Sequence, residues 1–188
     1  MGLLSREELS GYDVKRWMER PLGYFWSARH SQIYPELARL EEDGFVTHRV
    51  VEQSGKPDKK VYRITTEGVE ALKEWVVQVP SSRPVRDELT LKAYSVWLAD
   101  REEAARLFRE EGLVREEQLA HYEELRAWME GEHGGEVGDP GSPWFASYAT
   151  LRRGIGYEKE YAEWCRWMAD SMEGREPVRE QIDESGGK

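Results

Sequence analysis

The sequence holds one cysteine, Cys165, so neither an internal disulfide nor a cysteine-cluster zinc site can be built from it. No apolar run approaches the roughly 20 residues that cross a bilayer. The opening MGLLSREEL meets charge too early for a secretory leader, and Arg6 stands where a myristoylation signal needs Ser or Thr. These absences lead us to expect a cytoplasmic protein with no membrane association. Catalytic patterns are missing too: His30, His48, His121 and His133 lack HExxH spacing, and Gly154-Ile155-Gly156 has no third glycine and no preceding strand. We therefore expect no enzyme activity, no cofactor and no metal.

An excess of positive charge is also lacking, since the formal net charge is -10, which at face value argues against nucleic acid. The distribution alters that reading. Residues 1–80 carry 12 Lys plus Arg against 13 acids, and residues 81–188 carry 15 against 24. Within the nearly neutral front part, Lys56, Lys59, Lys60 and Arg63 fall in one short stretch opposed only by Asp58, so a local positive field can exist on an acidic chain.

Ser10 is placed to cap a helix carrying Tyr12, Val14, Trp17 and Met18 on one stripe, ended by Pro21. A second helix is expected from near Ser31, with Ile33, Tyr34, Leu37 and Leu40 on one side, Pro35 in its first turn and a stop at Asp43-Gly44. The β-branched and aromatic runs FVTHRVV and KKVYRI flank the turn-forming SGKPD and predict a β-hairpin with a basic tip. Alternation puts Lys60, Tyr62 and Ile64 on one face, with Tyr62 and Ile64 in the core. Thr65 or Thr66 then caps a helix with Val69, Leu72, Trp75, Val76 and Val79 on one face, closed by Pro80.

PSSRP at 80–84 has the composition of a hinge. Helices are expected over 87–98 and about 101–130. GEHGGEVGDPGSP at 131–143, with its five Gly and two Pro, is expected to be a flexible loop. Leu151, Ile155, Ala162, Cys165, Met168 and Met172 then form an apolar seam near heptad spacing, which requires a partner helix. The tail 174–188 lacks periodicity and is expected to be disordered.

Two short helices followed by a basic hairpin have the order of a winged helix-turn-helix. The segments SGYDVKR, HSQIYPELARLEEDGFV, GKPDKKVYRITTEG, RDELTLKAYSVWLAD and YATLRRGIGYEKEYAEWCRWM closely resemble the PadR family of bacterial transcriptional regulators, in its longer subfamily. The resemblance covers about residues 3–172. It implies a mainly α fold: a winged helix-turn-helix DNA-binding domain over 1–80 and a helical dimerisation domain over 81–173. It further implies a homodimeric repressor that binds double-stranded DNA through a recognition helix from Ser31 to Glu42. Some relatives bind phenolic or other aromatic effectors near the domain junction. One departure is the short start, since MGLLSREE is all that stands where family members carry a longer first helix.

The residues assign contacts of their own. Ser31, Gln32 and Tyr34 stand at the start of the second helix, where hydroxyl and amide groups reach base edges and the helix dipole favours an anion; alternatively Ser31 caps and Tyr34 packs inside. Arg39 is placed for a phosphate or for a pair with Glu36 or Glu42. Lys56, Lys59 and Lys60 suit phosphate contact from a slim wing, or protection of an exposed hairpin edge. The eight tryptophans are mainly core and interface residues, and could also line a pocket for a small aromatic effector. The rival to a DNA-binding repressor is a winged-helix protein-interaction module whose wing never meets DNA. The clustered lysines favour the repressor.

Overall fold

Local signals near the chain start fold as their chemistry requires. In the computed structural model, residues 1–18, 30–52, 55, 58–80 and 86–175 are described. The expected helix end at Pro21, most of the PSSRP stretch, Lys56 and the tail from 176 lie outside them. Helix α1, Gly11–Met18, opens on a reciprocal cap: the Asp13 backbone N–H donates to Ser10 Oγ at 3.2 Å and the Ser10 N–H donates to Asp13 Oδ2 at 3.0 Å. Helix α2 runs His30–Glu42. It ends in a left-handed Gly44 (φ 77°), with the Phe45 N–H donating to the Leu40 carbonyl at 2.9 Å and the Gly44 N–H to the Glu41 carbonyl at 3.0 Å. That pair of bonds satisfies carbonyls the helix would otherwise leave open.

The hairpin strands are β2, Val46–Val51, and β3, Lys59–Ile64. They pair antiparallel in the register Val46 opposite Ile64 through Val51 opposite Lys59. A third strand, β1, Leu9–Ser10, sets Leu9 opposite Tyr62 and Ser10 opposite Val61, so the sheet order is β1-β3-β2. Two residues are too few for periodicity to reveal, so this strand has no signal in the sequence. Thr65 caps helix α3, Thr66–Val76, by accepting the Gly68 N–H at 3.0 Å.

The core of this unit is Leu4, Leu9, Val14, Ile33, Leu37, Val46 and Tyr62, with Met18, Leu40 and Ile64 packed at its margin. Tyr62 and Ile64 thus take the expected inward face. Three expectations need correction. Tyr12 and Trp17 face outward on α1, Tyr34 faces outward on α2, and Trp75, Val76 and Val79 are exposed. The inward stripe of each helix is narrower than its apolar sequence pattern. Helix α3 also stops before Val79 and Pro80, at Val76.

The chain divides into units 1–83 and 84–188, a boundary inside PSSRP. In the second unit Asp87 caps α4, Glu88–Tyr94, a 3-10 turn covers Val96–Leu98, and Asp100 caps α5, Arg101–Val137. Ser142 caps α6, Pro143–Met172. The α6 seam is buried at Leu151, Ile155, Ala162, Cys165 and Met168. A partner is present in the same chain: α5 supplies buried Phe108 beside Met168 and Ala169, and Gly112 lets the helices close on Cys165.

The flexible loop expected at 131–143 is corrected by α5, which continues to Val137 with a local break at His133 (φ -130°). Each glycine costs a helix about 1 kcal/mol, but His133 stacks on Trp144 of α6 at 3.6 Å and meets the edge of Trp128. That packing holds the end of the hairpin together, and only residues 138–142 connect the two helices. Further along, Glu158 is 3% exposed and faces Arg115 at 3.4 Å. Burial pushes its carboxyl above the usual range despite that cation. Arg115 also lies over the Tyr161 ring at 4.3 Å, and the Tyr161 hydroxyl donates to Asp87 at 3.0 Å, so this partly buried network ties the cap of α4 and α5 to α6. Among the described residues no helix is long and apolar enough to cross a membrane.

Gly68 lies where α3 passes over the turn between α2 and β2, and a Cβ there would overlap the Phe45 carbonyl oxygen. Gly68→Ala is expected to destabilise the protein by about 2 kcal/mol, the range of forced overpacking, as a lower urea midpoint. An unchanged midpoint would contradict the close approach.

Candidate nucleic-acid interface

On α2, Ile33, Leu37 and Leu40 take the inward side, and the 3.6-residue period then sends Ser31, Gln32 and Tyr34 outward. Ser31 and Gln32 are exposed on the first turn, and Tyr34 is 60% exposed. The helix begins at His30, so Ser31 lies inside it and does not cap it. Pro35 is its sixth residue, beyond the first-turn position expected. Proline has no N–H, so the Ser31 carbonyl receives no helical bond from residue 35.

Tyr34 is not simply extended into solvent. A Cβ on Gly11 would lie 2.5 Å from its ring carbon Cε1, so one edge of the ring rests in the space that the absent side chain leaves on α1. Arg39 donates to Glu36 at 2.7 Å with both side chains exposed, which is the helix-face pair. Pairs of this kind contribute a few tenths of a kcal/mol.

On the wing, Gly55 takes a left-handed conformation (φ 75°) at the tip, while Lys56 lies outside the described residues. Lys59 is the last paired residue of the hairpin, opposite Val51. Its ammonium lies 3.0 Å from Asp13 Oδ2. Asp13 also accepts the Ser10 hydroxyl at 2.7 Å, and that bond, with Lys59 beside it, holds its carboxyl below the usual range against some burial. Arg49 of β2 is tied by two bonds to Glu8, at 3.1 and 3.0 Å. Lys60 and Arg63 are exposed, and among the described residues neither has an ionic partner. Arg63 counts in the basic stretch of the sequence but received no role there. Its exposure on the outward side of β3 was the available signal.

The first unit therefore carries an exposed polar helix start on α2 and, on opposite faces of β3, two exposed cations without an ionic partner among the described residues. It does not leave Arg39 or Lys59 uncommitted. Hydroxyl, amide and phenol groups on a helix start can reach base edges, and mobile cations on a hairpin can neutralise phosphate.

Residues 1–74 match the Transcriptional regulator PadR-like family, and residues 85–173 match Virulence activator alpha C-term. The negative transcriptional regulator PadR of Bacillus subtilis (strain 168) is 39% identical over 169 residues, which cover 87% of this chain and 90% of that protein. The chain belongs to the PadR-like transcriptional regulator family. As a PadR-family regulator it is not an enzyme. The crystal structure of Bacillus subtilis PadR in complex with operator DNA is similar at a TM-score of 0.78 and 36% identity, covering 91% of this chain and 95% of that one. The same protein in complex with p-coumaric acid matches at a TM-score of 0.72 and 35% identity, over 92% and 95% of the two chains. The winged-helix unit and the helical unit of this PadR-family chain are thus those of a transcriptional regulator.

Proposed function

We propose that this chain is a homodimeric repressor that reads an inverted-repeat operator through α2 and the β2–β3 wing. The observation that carries the reading is the exposed start of α2, with Ser31, Gln32 and Tyr34, in one unit with a hairpin on which Lys60 and Arg63 are exposed and have no ionic partner among the described residues. Base-edge contacts from α2 supply sequence preference, and phosphate contacts from the wing supply affinity. Lys56 adds to the wing charge. The relative solved with operator DNA supports this use of the fold.

Dimerisation follows from surface the single chain leaves uncovered. Leu91, Tyr94, Trp97 and Leu98 on α4 and its following turn are exposed, Tyr94 to 85%. Contiguous apolar surface of this kind marks an interaction site. A second copy covers it, and the twofold symmetry of such a dimer matches a palindromic site. A small aromatic molecule is the effector, supported by the relative solved with p-coumaric acid. It releases DNA only by binding better to the dimer form that fits the operator poorly.

In fluorescence anisotropy with DNA from upstream of its own gene, the protein is expected to prefer that DNA over random sequence. Affinity should fall steeply with salt, and Lys60→Ala with Arg63→Ala should flatten the log–log salt slope by about 2. Absence of any preference, with an unchanged slope in the double variant, would contradict the reading and favour a protein-interaction module. Sedimentation velocity should give a dimer for the native chain and a monomer for Tyr94→Glu with Trp97→Glu. A native monomer at operator-binding concentrations would overturn the dimer.

A further inference from the structure

Both reading elements touch the N-terminus of α1, α2 through Tyr34 against Gly11 and the hairpin through Lys59 against Asp13. Asp13 Oδ2 is the acceptor for the Ser10 N–H at 3.0 Å and the Ser10 hydroxyl at 2.7 Å, and the partner of Lys59 Nζ at 3.0 Å. Ser10 is itself buried and held in β1 opposite Val61. Asp13 therefore sits in a rigid frame, and Lys59 is bound to that frame. The Lys59 and Asp13 side chains are only 36% and 28% exposed, so moving the ammonium out to a phosphate would leave a half-covered carboxylate without its cation. Lys59 is also the root of the hairpin tip, being the last residue paired across to β2. One residue after Ser10, Gly11 seats the Tyr34 ring.

We propose that Ser10, Gly11 and Asp13 form the seat that fixes the spacing between the recognition helix and the wing, with Asp13 and Lys59 acting as positioning residues and not as DNA contacts. This rests on the DNA-binding reading above. The physical reason is a difference in tolerance. Phosphate contacts made by mobile cations survive small displacements, whereas paired hydrogen bonds to base edges require the donor groups to be held within about 0.5 Å. A device that sets the offset between α2 and the wing governs specificity more than affinity. Asp13 places a negative charge beside the wing, where a surface built only for phosphate attraction would have none.

The test is a pair of titrations, on operator and on random DNA, over a series of salt concentrations. The variants are Lys59→Met, which keeps the aliphatic stem, Asp13→Asn, and Lys60→Ala, with folding followed by circular dichroism. Lys59→Met should lower operator affinity by about tenfold while leaving random-DNA affinity and the salt slope unchanged. Asp13→Asn should lower operator affinity while random-DNA affinity holds or rises, because Lys59 is released. A simple gain of positive charge would raise both, and a simple loss of folded protein would lower both. Lys60→Ala should weaken both DNAs alike and flatten the slope by about 1. If Lys59→Met instead behaves as Lys60→Ala, or changes nothing, the positioning role is overturned. A native protein that does not distinguish operator from random DNA overturns the DNA-binding reading itself, a result read without any variant.

Discussion

The turn at Asp43–Phe45 is where three elements of the first unit are fixed to one another. The Thr65 N–H donates to the Phe45 carbonyl at 3.0 Å and its hydroxyl to the Gly44 carbonyl at 2.7 Å. The same hydroxyl oxygen caps α3 by accepting the Gly68 N–H, and Gly68 has no side chain because α3 passes directly over the Phe45 carbonyl. The C-terminal end of α2, the start of β2 and the first turn of α3 thus share one set of polar groups. The Thr65 bonds join the first turn of α3 to the turn that links α2 and β2, so none of the three can shift without breaking bonds made with the others. Helix α2 is held at its far end by this junction and at its near end by the contact of Tyr34 with Gly11.

Much of this was legible in the sequence wherever the signal was local. Ser10 and Thr65 cap the helices they were expected to cap, Gly44 ends α2, and SGKPD separates two strands, because each depends on a few neighbouring residues and their conformational preferences. What escaped depends on partners distant in sequence. Strand β1 exists only because β3 pairs with it, and the glycine-rich stretch after Gly131 is helical because His133 stacks on Trp144. The exposure of Trp75, Val76 and Val79 contradicts an apolar helical face that the periodicity describes well; periodicity reports which residues share a side, not whether anything in the chain covers it.

The candidate site divides in the same way. The outward position of Ser31 and Gln32 follows from the inward position of Ile33 and Leu37. Lys59, Lys60 and Arg63 are equivalent by composition, and only three-dimensional contacts separate them: Lys59 is bound to Asp13, while Lys60 and Arg63 face solvent. The acidic total of the chain is likewise no guide to the wing, since most of the acid excess lies in the helical unit. Charge acts over about a Debye length, so the sign near the wing decides what it attracts.

Hydroxyl-radical footprinting on DNA from upstream of its own gene tests the central claim, sequence-specific reading by paired α2 helices and wings, most directly. Protected patches are expected on one face of the duplex, related by twofold symmetry and separated by about one helical turn or a multiple of it. A cleavage pattern identical with and without saturating protein would contradict it.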